Sequence, residues 1–171
     1  RVCLFMEFED FILLGSHLQT DAFVTHTKLI TDKVKAEYAK KGKPCLIFVP
    51  TVEYAESLYR KLNVFIKGGD YVSSKREKRP LIIERFKKGK YRYLVTTAVL
   101  ERGVTVKDVQ VLIYGADDAI YDSAALIQIA GRAGRKIDAP EGEVIFIGKE
   151  KTDEIQRAIT EIHRYNEKAG L

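Results

Sequence analysis

Residues 45–62, CLIFVPTVEYAESLYRKL, decide the fold. CLIFV (45–49) is an unbroken apolar run of strand length, the pattern of a strand buried on both faces. Pro50 and Thr51 break it. Val52, Ala55, Leu58, Tyr59 and Leu62 then recur at helical spacing and predict a helix with one buried side. Thr51 is a natural N-cap for that helix, and Glu53 suits its first turn. Strand, short loop and helix make the repeating half of an α/β domain.

The same alternation continues toward the C-terminus. VFI (64–66) reads as a short strand ending at Gly68-Gly69, and a helix follows to Phe86, stopping near Gly89. RYLVTT (92–97), VQVLIYG (109–115) and GEVIFIG (142–148) read as strands. SAALIQIAGRAG (123–134) starts as a helix. Ile155, Ala158, Ile159 and Ile162 mark a last helix, with Asp153 and Glu154 favourably placed at its positive end. The fold class expected is α/β, a mostly parallel sheet with helices on both faces. Such sheets carry their functional loops at the carboxyl ends of the strands.

Toward the N-terminus the pattern is less regular. KLITDKVKAEYAKK (28–41) reads as a basic amphipathic helix closed by Gly42. VCLFMEF and FILLG, in residues 1–26, read either as two strands or as strands of a neighbouring domain. The expected division is therefore 1–41, an irregular segment plus a basic helix that is a linker or remnant of a preceding domain, and 42–171, the α/β domain. The chain starts at Arg1, which is expected of a piece of a longer protein.

Composition excludes several classes. Of 171 residues, 46% are apolar and 31% charged, a globular mix rather than a disordered one. The net charge of +5 permits a nucleic-acid partner without requiring one. Cys3 and Cys45 form no CxxC, and the three histidines make no ligand cluster with them, so neither a zinc site nor a disulfide framework is expected, and a reducing compartment is. No apolar run reaches transmembrane length, and Glu7, Glu9 and Asp10 interrupt the apolar stretch 1–15, so it does not read as a signal peptide.

Four motifs carry chemistry. In QIAGRAGR (128–135), Arg132 and Arg135 stand three apart, Gln128 lies one turn earlier, and glycines allow close approach. On a helical turn both guanidinium groups face one side and can grip a polyanion. TTAVLERGVT (96–105) puts hydroxyls and a glycine directly after a buried strand, a setting for phosphate contacts. FVPT (48–51) places a helix N-terminus at a strand end, which favours anions. VSSK (72–75), followed by Arg79, sets two serines and a lysine at another strand end, while Phe86 and Gly89 fit core and C-cap. Each motif alone also fits a plainer purpose: a basic helix face, a capped strand-end turn, or an N-cap serving only its helix.

Order and spacing together are far more specific. FVPT, TTAVLERGVT and QIAGRAGR resemble motifs IV, V and VI of the C-terminal RecA-like lobe of superfamily 2 helicases and translocases. The likeness runs from about Lys43 to Gly148, about three-fifths of the chain. LERGVT, then VQVLIYGAD, then ALIQIAGRAGR, is most similar to the ComFA late-competence family. That resemblance implies a RecA-like, P-loop NTPase-type lobe of an ATP-dependent DNA helicase or translocase serving single-stranded DNA uptake. It implies Arg135 as arginine finger, with Arg132 and Gln128 beside it at the γ-phosphate; Arg102, Gly103 and Thr105 on the nucleotide side; and Thr51, Ser73, Ser74, Lys75 and Thr97 on DNA phosphates. The implied partners are single-stranded DNA, an N-terminal motor lobe of the same chain, and membrane DNA-channel and ComF-family proteins at the cytoplasmic face of the membrane.

Three features depart from the pattern. Thr105 stands where many superfamily members carry an aspartate, Pro80 falls where the family continues a helix, and residues 1–26 match nothing in it. Pro80 is tolerable if its helix starts within about four residues before it. The chain contains no GxxxxGK[ST] and no DEAD- or DEAH-like carboxylate pair. ATP and magnesium are therefore expected on the other lobe, and this chain alone is expected to be inactive. Two alternatives stay open: a lobe of a primosomal or repair-type helicase such as PriA or UvrB, and a non-catalytic nucleic-acid-binding module with the same fold.

Overall fold

The computed structural model describes residues 2–7, 28–35, 42–98, 106–133 and 142–169. Among these, six strands form one sheet: β1 (Val2–Glu7), β2 (Cys45–Phe48), β3 (Gly69–Val72), β4 (Tyr93–Thr96), β5 (Gln110–Tyr114) and β6 (Glu143–Gly148). Their order is β1-β6-β5-β2-β4-β3, and every pairing is parallel. The helices are α1 (residues 28–35), α2 (Val52–Phe65), α3 (Arg79–Lys87), α4 (Ser123–Ala130) and α5 (Asp153–Lys168).

Alternation along β2 builds two cores. Leu46 and Phe48 join Leu94, Val111, Ile113, Val144 and Phe146 beneath α3, α4 and α5. Cys45, Ile47 and Val49 join Tyr93, Val95, Leu112 and Tyr114 beneath α1 and α2. All four residues of β2 are buried, which explains the unbroken apolar run and leaves Cys45 an inert buried thiol.

The predicted strand at 64–66 is corrected. Val64 and Phe65 are the last turn of α2, exposed by 72% and 50%. The helix holds its buried face through Leu62, and Ile66 caps it by donating its N–H to the Leu62 carbonyl (2.8 Å). The strand begins instead at Gly69, opposite Tyr93 in register. The Tyr93 ring lies on Gly69, and its hydroxyl donates to the Ile66 carbonyl at 3.2 Å. Pro80 fits as expected, in the first turn of α3 beginning at Arg79. Phe86 is buried, and Gly89 takes a φ of +70° after the C-cap.

Parts of the N-terminal segment join the sheet. β1 pairs along its length with β6. Ile30 and Val34 of α1 are fully buried in the second core, and Lys33 Nζ bonds both oxygens of Glu143 (2.8 and 2.7 Å) at the start of β6. FILLG (11–15) and residues 36–41 lie outside the described residues.

β3 forms one margin of the sheet. The Tyr71 N–H donates to Asp70 Oδ1 (2.8 Å), and the Tyr71 carbonyl accepts from Arg76 Nη1 (2.7 Å). Arg76 and Asp70 pair at 2.6 Å, and the guanidinium sits 4.5 Å from the Tyr71 ring centroid. Side chains thus satisfy backbone groups that an edge strand otherwise offers to another chain. Arg76→Ala removes this clasp. We expect a loss of about 1–2 kcal/mol, the cost of charge-assisted bonds discounted for partial exposure. Urea denaturation would show it as a lower midpoint at an unchanged slope, and an unchanged midpoint would count against the clasp.

Candidate nucleic-acid and nucleotide interface

Because the strands are parallel, their carboxyl ends share one sheet edge. Phe48, Thr96 and Val72 occupy one row across β2, β4 and β3. Thr97 and Ser73 follow that row directly, and Thr51 comes three residues after Phe48. The three predicted phosphate-contacting hydroxyls therefore come to the same edge, from three adjacent strands.

Ser73 and Thr97 are nearly buried, at 3% and 8% exposure. Together with Val72, Ser74, Thr96 and Arg79 they line one shallow indentation. Thr96 donates its hydroxyl to the Thr97 carbonyl (3.2 Å). Arg79, from the first turn of α3, was visible in sequence only as a cation four residues after Lys75; its place in the indentation depends on how the 73–78 loop turns. Thr51 is exposed and caps α2, its Oγ1 accepting from the Tyr54 N–H (3.3 Å). Capping uses an acceptor position and leaves the hydroxyl proton to donate. Ser74 and Lys75 are exposed, and Lys75 Nζ reaches Glu53 Oε1 at 3.1 Å. The Glu53 carboxyl is held below the usual carboxylate range, first by its own backbone N–H and then by Lys75.

The described part of the arginine motif starts on a helix and leaves it before Arg132. α4 starts at the Asp122 cap, which accepts from the Ala125 N–H (2.7 Å), and ends at Ala130. Arg132 and Ala133 then donate to carbonyls three residues back (3.1 Å each), a tighter turn that closes the helix. Arg132 therefore stands in the closing turn after α4 and not on the expected helix. Gln128 is exposed on α4. The half-buried Arg132 sets its guanidinium 6.0 Å from the Phe48 ring centroid, at the end of β2. Arg135, Arg102, Gly103 and Thr105 lie outside the described residues.

A hollow of about 270 Å³ opens beyond β2, β5 and β6. Pro50, Tyr54, Gly115, Asp117, Asp118 and Lys149 line it. Asp117 Oδ2 accepts from the Lys149 N–H (3.0 Å), and a Cβ on Gly148 would meet Asp117 Oδ1 at 2.6 Å. Sequence reading singled out none of its charged residues, because two loops far apart in the chain supply them.

Residues 26–136 match the helicase conserved C-terminal domain. The chain belongs to that helicase family. Among curated relatives of this helicase lobe, the competence protein ComFA of Streptococcus pneumoniae is 34% identical over 147 residues, covering 83% of this chain and 34% of that protein. ComFA of Bacillus subtilis is 36% identical over 137 residues, covering 78% and 29%. The lobe thus spans about a third of the length of these relatives. Among solved structures, Saccharomyces cerevisiae Dbp5 bound to RNA and ADP BeF3 superposes with a TM-score of 0.69 at 22% identity, covering 94% of this chain and 38% of that one. The resemblance to a superfamily 2 C-terminal lobe of the ComFA kind, and the RecA-like fold it implied, are borne out. No helix among the described residues is long and apolar enough to cross a membrane.

Proposed function

We propose that this lobe is the second motor lobe of an ATP-dependent translocase that moves single-stranded DNA in competence. Its partner lobe holds ATP and magnesium. Arg135 reaches the γ-phosphate on closure, flanked by Arg132 and Gln128, with Arg102, Gly103 and Thr105 on the nucleotide side. Thr51, Ser73, Ser74, Lys75 and Thr97 hold the DNA backbone. The full protein works at the cytoplasmic face of the membrane, with channel and ComF-family proteins as its partners. The observation that carries the proposal is the shared carboxyl edge of β2, β4 and β3, where Thr51, Thr97 and Ser73 follow neighbouring strands and Arg79 lies beside Ser73 and Thr97 in a shallow indentation. Hydroxyls and cations without base-edge readers suit a backbone that must slide.

The test is binding to oligo(dT) across a salt series. Ser73→Ala and Thr97→Val should each weaken binding about tenfold, the worth of a hydrogen bond to a charged group. Neither carries charge, so the salt slope should hold. Lys75→Ala should instead lower the slope by about 0.7, the value for one phosphate on a single strand. Unchanged affinity in all three variants refutes the track.

A further inference from the structure

The cation assigned to the backbone is already engaged. Lys75 follows β3, and Glu53 stands in the first turn of α2, beyond β2. In the sheet β4 lies between β2 and β3. The 3.1 Å Lys75–Glu53 pair therefore reaches across the end of the strand that leads into Thr97. Both side chains are 73% exposed. A pair so exposed is weak and exchanges readily. Glu53 also follows Thr51 by two residues, so its carboxylate stands where the proposed track needs an anion of another origin.

We propose that Glu53 is an internal competitor for the DNA backbone: its carboxylate holds Lys75 while the lobe is empty, and a phosphate replaces it when single-stranded DNA binds. This rests on the phosphate track proposed above. Two physical consequences follow. Glu53 stays ionised near neutrality, because its own backbone N–H and then Lys75 favour the charged form, so it cannot withdraw from the competition by taking a proton. Each phosphate that leaves Lys75 is replaced at once by a carboxylate, so release leaves no unpaired cation. The device favours brief contacts that re-form along a moving strand over a tight clamp.

The experiment measures oligo(dT) affinity of the full-length protein and its Glu53→Gln, Lys75→Ala and double variants at several salt concentrations. Glu53→Gln should bind about two- to fivefold tighter at low salt, the worth of an exposed ion pair, with the gain fading as salt screens the charges. Lys75→Ala should bind more weakly, and adding Glu53→Gln to it should restore little. Circular dichroism confirms that each variant folds. A Glu53→Gln gain of equal size in the Lys75→Ala background overturns the competition, because that gain is general repulsion. Wild-type affinity for Glu53→Gln, alongside weakened Ser73→Ala and Thr97→Val, overturns the competition and leaves the track. If none of these substitutions changes affinity, both fall.

Discussion

Arg135→Lys, in the full-length protein, is expected to cut DNA-stimulated ATP hydrolysis by about three orders of magnitude or more, the range over which an arginine finger acts. Lysine keeps the charge and loses the planar fork that meets two phosphate oxygens at once. ATP affinity should fall much less, because this sequence carries no phosphate-cradling loop and the proposal assigns most of the phosphate contacts to the other lobe. The isolated lobe should hydrolyse nothing for the same reason. Arg85→Lys, exposed on α3 away from the carboxyl edge, is the control and should leave turnover nearly intact. Steady-state turnover and nucleotide binding on both variants decide the matter. An Arg135→Lys enzyme with wild-type turnover sinks the finger assignment.

Gly69→Ala is expected to be strongly destabilising although it touches no proposed ligand. A Cβ there would lie 2.1 Å from Tyr93 Cζ and 2.3 Å from both Cε atoms. The ring has nowhere to go. Tyr93 is fully buried in the second core, and its hydroxyl is tied to the Ile66 carbonyl. Overpacking of this kind costs about 1–3 kcal/mol and sometimes more, a large share of a domain's total stability. For a chain of this size, the melting temperature should drop by about 5–10 °C. A thermal melt following helix ellipticity measures it, and Tyr93→Leu should recover part of the loss in the double variant. Melting at the wild-type temperature would mean that the sheet margin gives way easily, and that β3 is not fixed by this contact.

What the sequence made legible follows from burial. β2, β4 and β5 are buried throughout and β6 nearly so, and each wrote itself as an apolar run. β3 did not: only Val72 of its four residues is fully buried, and GDYV carries a charge. Val64-Phe65-Ile66 imitated a strand nearby, because apolar residues at an exposed helix end look like a short buried run. β1 was legible as a strand, but not its place, since its partner β6 lies some 140 residues along the chain. Thr51, Ser73 and Thr97 were readable together because parallel strands bring their carboxyl ends to one edge, whatever lies between them in sequence. The turn carrying Arg132 was not readable, because nothing in Gly131-Arg132-Ala133 separates a continuing helix from one that tightens and stops. The hollow around Asp117 and Lys149 had no local signature at all.

The row Phe48–Thr96–Val72 has a mechanical consequence. The Arg132 guanidinium stands 6.0 Å from the ring of Phe48, and Thr97 and Ser73 directly follow the other two members of the same row, Thr96 and Val72. On the proposed DNA track, load taken at Thr97 passes to Phe48, beside the arginine turn, through one register step of a doubly buried sheet. Close-packed interiors compress very little. Under the proposed function the lobe acts as a stiff lever, and the travel of DNA in each cycle is set by how far the whole body swings against its partner rather than by any give within it.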